Sequence, residues 1–233
     1  MPYYGFFDPT YLLVLAGVVL SLAASAYLKS VYARYSSVRS RSGMTGAQTA
    51  ERILHGAGIY DVRIEHISGN LTDHYDPRNK VLRLSDSVFG SNSVAAVGVA
   101  AHECGHAIQH DKKYAPLSLR SALVPAANIG STLSWPVILV GVLMGYSQTL
   151  ITIGIVMFSL AVAFQLVTLP VEFNASFRGA RALEDNGILG NDEVSSTKKV
   201  LRAAALTYVA AAAGMVLQLL RLLILFGGNR RDD

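Results

Sequence analysis

The motif HECGH, from His102 to His106, is the strongest chemical signal in this chain of 233 residues. Two residues four positions apart in an α-helix lie about 40° apart around its axis and about 6 Å apart along it, so both imidazoles reach one point. Imidazole nitrogen is a common ligand of Zn²⁺. The carboxylate of Glu103, beside the first histidine, can act as general base towards a metal-activated water. The motif therefore predicts zinc-dependent hydrolysis of peptide bonds.

A catalytic zinc ion commonly has three protein ligands and one open position, so a third ligand is needed. His110 lies eight residues after His102, about 12 Å along the same helix, and cannot reach the same ion. The metzincin pattern also fails, because Gln109 and Lys112 replace its glycine and third histidine. Glu172 is the first charged residue after the 51 uncharged residues that precede it. From sequence it is either the third ligand or a carboxylate at the membrane boundary.

The composition predicts a membrane protein. Hydrophobic residues make up 52% of the chain, charged residues only 15%, and the mean hydropathy is +0.37, whereas about 25% of an ordinary soluble domain is charged. A membrane-crossing helix needs about 20 apolar residues. We predict four such helices, at residues 10–28, 121–146, 149–170 and 203–226. The middle two form a hairpin that turns near Gly145, ends at Pro170 and returns Glu172 to the membrane face of the HECGH helix.

Two polar segments complete the predicted architecture. Residues 35–120 are expected to form a small α+β catalytic subdomain that carries the HECGH helix. Its first helix begins at a Thr45–Gln48 capping box and ends at Gly56, and its HECGH helix begins after residues 91–93. Three short strands are predicted, at residues 62–67, 71–75 and 81–84. Residues 171–202 are expected to hold the third-ligand helix and a polar stretch. The predicted fold is a predominantly α-helical integral membrane protein.

The basic residues predict the orientation of the chain. Of 20 lysines and arginines, 12 lie in residues 29–120 and 5 in residues 171–202. By the positive-inside rule, we expect both segments on the cytoplasmic side of a bacterial-type plasma membrane. Arg221, near the end of the last span, is expected to extend towards the lipid headgroups. Basic residues interleaved with aromatics are not found, so nucleic acid is not a predicted partner. A lone cysteine, Cys104, requires no oxidising compartment.

The chain resembles the YugP-like neutral zinc metallopeptidases, which are membrane proteins of the gluzincin type. The resemblance rests on HECGH, the long apolar hairpin, LPVEFNAS around Glu172 and LTDHYDP at residues 71–77, and it covers nearly the whole chain. It implies one catalytic Zn²⁺ bound by His102, His106 and Glu172, with Glu103 as base. The more distant HtpX-like and CAAX-processing membrane proteases usually carry aspartate four residues after that glutamate, where this chain has Ser176.

Further residues are candidates for roles around the metal. A ligand histidine is commonly oriented by a hydrogen-bonding partner, and the candidates for this partner are Asn174, Ser176 and Asp185. By resemblance, residues 71–77 line the substrate cleft, although Asp-Pro is also typical of a simple turn. An oxyanion that develops during hydrolysis needs a hydrogen-bond donor, and the candidates for this donor are His74, Tyr75, Arg178 and Arg181.

The predicted function is that of a zinc-dependent membrane endopeptidase acting on membrane-associated proteins or peptides. One alternative is a site-2-type intramembrane metalloprotease, but no aspartate lies in the four predicted spans to serve as its ligand. Another is a non-enzymatic metal-binding membrane scaffold, which would not need a base at Glu103. A partner subunit or a homo-oligomer is compatible with the sequence, which does not identify the substrate.

Overall fold

The computed structural model describes residues 8–227 and is mostly helical, with one small three-stranded sheet. The helices are α1 (Tyr11–Ser36), α2 (Gly46–Gly56), α3 (Asp86–Phe89), α4 (Val94–Asp111), α5 (Ala115–Leu143), α6 (Gln148–Asp185) and α7 (Asn191–Phe226). The strands are β1 (Arg63–Ile67), β2 (His74–Asp76) and β3 (Val81–Ser85). The prediction of a predominantly helical chain with a small sheet is confirmed.

Four helices, α1, α5, α6 and α7, are long and apolar enough to cross a membrane. These helices are longer than the apolar segments predicted as spans. Charged residues that bound these apolar segments do not interrupt the helical backbone. Helix α6 continues through Pro170, the predicted end of the second arm of the hairpin, to Asp185. A proline removes one backbone donor from a helix, a loss that membrane helices tolerate when neighbouring groups satisfy the freed carbonyl. One helix therefore carries both an apolar span and Glu172.

The described residues divide into two compact units, of which the first comprises residues 8–25, 119–169 and 207–227. Its apolar cluster is formed by Ile138, Phe158, Val162 and Leu222. Arg221 contacts two residues at the N-terminal end of the first span. Its guanidinium lies 4.2 Å from the centre of the Tyr11 ring and 3.5 Å from Asp8 Oδ2, and its side chain is only 12% exposed. A partly buried cation is stabilised by such partners, and the expected extension of Arg221 towards the headgroups stays a prediction.

The second unit comprises residues 26–118 and 170–206 and contains the sheet. The strand order is β1-β3-β2, with β1 parallel and β2 antiparallel to β3. The strand expected from Leu71 begins only at His74, because Leu71 has a left-handed backbone (φ 56°) that cannot continue a strand. The backbone N–H groups of Arg78 and Asn79 donate to Asp76 Oδ1, which forms the predicted Asp-Pro turn.

Helix caps define where α2 and α4 begin. The Thr45 hydroxyl accepts from the Gln48 N–H, and the Gln48 side chain accepts from the Thr45 N–H, as the capping-box pattern predicts. Ser93 caps α4 by accepting from the Ala96 N–H at 3.1 Å. Apolar side chains of α2 and α4 share one buried cluster, which includes Ile53, Leu54, Val97 and Ala101. This cluster holds the HECGH helix in place.

Candidate metal centre

Helices α4 and α6 approach closely at the point where the HECGH motif lies. A side chain on Gly105 would place its Cβ 2.2 Å from the Ala175 carbonyl oxygen, and one on Gly179 would lie 2.4 Å from the Ala101 carbonyl oxygen. Real Cβ atoms do not come this close to backbone oxygen, so both positions require glycine. The contact brings Glu172, on α6, within reach of the two histidines on α4.

Three side chains that the sequence singles out meet at this crossing. Nε2 of His102 lies 3.3 Å from Glu172 Oε2, and Nε2 of His106 lies 3.6 Å from the same oxygen. One donor atom from each residue lies within 4.8 Å of the other two. Glu172 is buried, with 3% of its surface exposed. Two imidazole nitrogens and a carboxylate oxygen form the donor set of many catalytic zinc sites.

On each histidine ring, the nitrogen that faces away from Glu172, Nδ1, has a hydrogen-bonding partner of the kind found around metal sites. Nδ1 of His102 lies 3.0 Å from Ser176 Oγ, and Nδ1 of His106 lies 3.1 Å from Gln109 Oε1. An amide oxygen only accepts, so His106 Nδ1 carries the hydrogen, and a neutral ring then has its lone pair on Nε2. That lone pair faces Glu172. The residues present therefore fit a zinc ion bound through both Nε2 atoms and the carboxylate.

Gln109 was not identified from the sequence as part of the site. It is completely buried, and its Nε2 donates to the Val171 carbonyl at 2.8 Å and to Asn174 Oδ1 at 3.1 Å. The signal in the sequence was a polar residue three positions after His106, hence on the same helix face. In the sequence, Gln109 is visible only as a departure from the metzincin pattern.

The candidates for orienting the histidines differ in what they contact. Ser176 forms a hydrogen bond with His102. Asn174 instead forms a hydrogen bond with Gln109, which in turn bonds His106. Asp185 instead pairs with Arg181, 3.5 Å away, where both side chains are exposed.

Arg178, a candidate oxyanion donor, takes part in the hydrogen-bond network of Gln109 and Asn174. Its Nε donates to Asn174 Oδ1 at 2.7 Å, and its guanidinium lies 5.7 Å from the centre of the Tyr114 ring. Arg178 and Arg181 both line a cavity of about 490 Å³ between α2, α4 and α6. Their predicted role as oxyanion donors stays a prediction.

The candidate cleft residues His74 and Tyr75 lie on β2. The Tyr75 hydroxyl is 2.8 Å from Nδ1 of His110, which links the strand to α4. Burial, together with the negative charges of Asp61, Asp76 and Asp111, raises the pKa of Tyr75 to about 12, so its hydroxyl stays protonated near neutral pH. His74 Nδ1 donates to the Thr72 carbonyl at 2.9 Å. These contacts orient β2, and a role in the cleft stays a prediction.

The electrostatics of the cluster favour a cation. Glu103 is buried beside His102 on α4, with 7% of its surface exposed. Burial lowers the pKa of His106, but the hydrogen bond that the protonated ring donates to Glu172 and the charges of Glu103 and Glu172 outweigh burial, so the pKa is raised. Two buried carboxylates close to two imidazoles thus create a negative site, in which a divalent cation is stabilised.

The described residues combine four helices of membrane-spanning length with a possible metal site formed by His102, His106 and Glu172. The profile of the family described as "Putative neutral zinc metallopeptidase" matches residues 10–227. The "Putative membrane protease YugP" of Bacillus subtilis (strain 168) is 47% identical over 221 residues, which cover 95% of this chain and 98% of the relative. The chain belongs to this family of neutral zinc metallopeptidases, which confirms the resemblance. No solved structure matches it.

Proposed function

We propose that this protein is a zinc-dependent membrane endopeptidase in which His102, His106 and Glu172 bind the ion and Glu103 is the general base. The observation that carries the proposal is the convergence of two Nε2 atoms on Glu172 Oε2, at 3.3 and 3.6 Å. Membership of a zinc metallopeptidase family supports the choice of metal and reaction class.

The residues of the chain perform distinct parts of this reaction. A zinc ion, when bound, supplies Lewis-acid chemistry at the cluster. Glu103 accepts the proton of the attacking water and returns it to the amine of the leaving group. Ser176 and Gln109 hold the two imidazole rings so that both Nε2 atoms face the ion. The burial of Glu172 limits competition from bulk water.

The proposed substrates are membrane-associated proteins or peptides, cleaved on the cytoplasmic side of the membrane. The support is the concentration of basic residues in the two polar segments, which also contain the three proposed ligands and the base. A membrane-anchored enzyme meets such substrates at a high effective concentration.

The proposal is tested by replacing the base while keeping the ligands. Purified wild-type protein and Glu103→Gln are expected to hold about one zinc ion per chain, because the glutamine removes no ligand. Cleavage of an unfolded protein substrate is expected to fall by about 10²–10⁴-fold in Glu103→Gln, the usual size of a general-base contribution. Glu51→Gln changes an exposed glutamate on α2 and is the matched control. An unchanged rate in Glu103→Gln would contradict the proposal.

The two alternatives give different results in the same assay. A non-enzymatic scaffold would bind zinc and cleave neither unfolded soluble nor membrane substrates. A site-2-type enzyme would need an aspartate as its third ligand. Asp185, on the same helix as Glu172, pairs with Arg181 and is exposed, so the structure offers no observation that favours this alternative.

A further inference from the structure

We propose that Gln109 is a positioning residue that fixes His106 in the tautomer able to bind zinc. The inference deepens the proposed function, since it rests on His106 being a zinc ligand. Gln109 has no assigned role in the motif HECGH, which it follows by three residues. Its side chain is completely buried, and both ends of its amide are used.

The orientation of the Gln109 amide is determined by its surroundings. Its nitrogen lies 2.8 Å from the Val171 carbonyl oxygen and 3.1 Å from Asn174 Oδ1. In the opposite orientation the amide oxygen would face these two oxygens without a hydrogen between them. The nitrogen therefore points towards α6, and the oxygen points towards His106 Nδ1 at 3.1 Å.

The second amide in this network, Asn174, is oriented in the same way. Its Oδ1 accepts from Gln109 Nε2 and from Arg178 Nε, 2.7 Å away. An arginine can only donate, so a rotated Asn174 would place its own N–H groups against two donors. Three successive hydrogen bonds thus run from Arg178 to His106, and each has one permitted direction.

This direction matters because the partners of the two histidines differ chemically. A serine hydroxyl both donates and accepts, so Ser176 is compatible with either tautomer of His102. The amide oxygen of Gln109 only accepts, and it permits a neutral His106 only with the hydrogen on Nδ1. The Nε2 lone pair is then available for a metal before the metal arrives. Loss of such a partner typically weakens metal binding by about 10–100-fold.

The test compares two replacements of Gln109 in the full-length, detergent-solubilised chain. Gln109→Met keeps the length of the side chain but removes both donor and acceptor. Gln109→Glu keeps an acceptor for His106 Nδ1 but cannot donate to Val171 or Asn174. Thr197→Val changes another completely buried polar residue to one of the same shape and is the control. The zinc dissociation constant is measured by competition with a chelator, and the melting temperature is measured without zinc.

We expect both Gln109 variants to melt at lower temperature than wild type, because each loses the bonds to α6. The zinc dissociation constant should rise by about 10–100-fold in Gln109→Met and stay near or below the wild-type value in Gln109→Glu and Thr197→Val. A purely structural role predicts equal losses of zinc affinity in Gln109→Met and Gln109→Glu. That result, or wild-type affinity in Gln109→Met, would overturn the proposal.

This measurement is separable from the test of the proposed function because it uses no substrate. Wild-type protein that binds zinc but cleaves nothing would overturn the peptidase proposal and leave the role of Gln109 to be decided by the variants. An active enzyme whose Gln109→Met variant binds zinc normally would overturn only the positioning role.

Discussion

The proposed metal site depends on how two imidazole rings, those of His102 and His106, are held. Ser176 takes the place at which related families usually carry an aspartate, and its hydroxyl lies 3.0 Å from His102 Nδ1. A hydroxyl is a weaker acceptor than a carboxylate, since hydrogen bonds to an ionised group are about twice as strong as neutral ones. His102 should therefore be a less basic ligand than it would be beside an aspartate.

Replacement of Ser176 tests this interpretation. Ser176→Ala removes the acceptor and should weaken zinc binding by about 10-fold or more, whereas Ser176→Asp should bind zinc at least as tightly as wild type. The zinc dissociation constant is the quantity to measure. Ser196→Ala, which removes an exposed hydroxyl bonded to the Asp192 carbonyl, serves as control. Equal zinc affinity in wild type and Ser176→Ala would show that the Ser176 hydroxyl does not support His102.

The sequence allowed part of this site to be predicted. The two histidines follow from helical spacing. The position of Glu172 after an uncharged hairpin left two roles open, third ligand or carboxylate at the membrane boundary, and the family resemblance favoured the first. Gln109 could not be chosen in the same way, because its role depends on the orientation of its amide. That orientation is set by Val171 and Asn174, more than 60 positions further along the chain. One sequence alone does not show which residues so far apart along the chain come into contact.

At the level of elements, the site is built by the close crossing of α4 and α6. Gly105 and Gly179 allow the backbones to touch, and any larger residue would meet a carbonyl oxygen at 2.2 to 2.4 Å. The helices would then have to separate. Since the two histidines lie on α4 and Glu172 on α6, this separation would also pull the donor atoms apart.

Gly105→Ala is therefore expected to damage both stability and metal binding. Overpacking of this kind typically costs about 1–3 kcal/mol, although alanine is by itself the better helix former. Melting temperatures with and without zinc measure both effects, and the stabilisation by zinc should be smaller than in wild type. Gly90→Ala is the matched control, because a Cβ at Gly90 meets no atom within 4 Å and its φ is −95°. Wild-type melting behaviour in Gly105→Ala would contradict this account of the crossing.

The elements differ in how far local sequence determines them. The starts of α2 and α4 were predicted because their caps are local hydrogen bonds. The continuation of α6 beyond Pro170 was not, since proline is as typical of a helix end as of a tolerated interruption. The parallel pairing of β1 with β3 was also missed, because it joins strands that are not consecutive. It depends on tertiary packing rather than on any residue pattern.

At the scale of the molecule, residues 8–227 combine four membrane-length helices with polar segments rich in basic residues. An even number of crossings returns the chain to the side on which it started. By the positive-inside rule, we expect the proposed site on the cytoplasmic side and the turn between α5 and α6 outside. The enzyme would then act on substrates that reach the membrane from the cytoplasm.

Cysteine labelling in intact cells tests this topology. The native Cys104 is completely buried, so the wild-type chain should give little background. A membrane-impermeant maleimide should label Met144→Cys, at an exposed position beside the α5–α6 turn, without permeabilisation. Arg78→Cys, in the exposed turn between β2 and β3, should be labelled only after permeabilisation. The reverse pattern would place the proposed site outside the cell.

The proposed binding of one zinc ion by His102, His106 and Glu172 can be measured by X-ray absorption at the zinc edge of the purified protein, with Glu172→Gln and Asp185→Asn compared with wild type. We expect two imidazole nitrogens and carboxylate oxygen at about 2.0–2.2 Å in wild type and in Asp185→Asn. We expect loss of the zinc, or of the carboxylate contribution, in Glu172→Gln alone. An unchanged zinc spectrum and content in Glu172→Gln would contradict it.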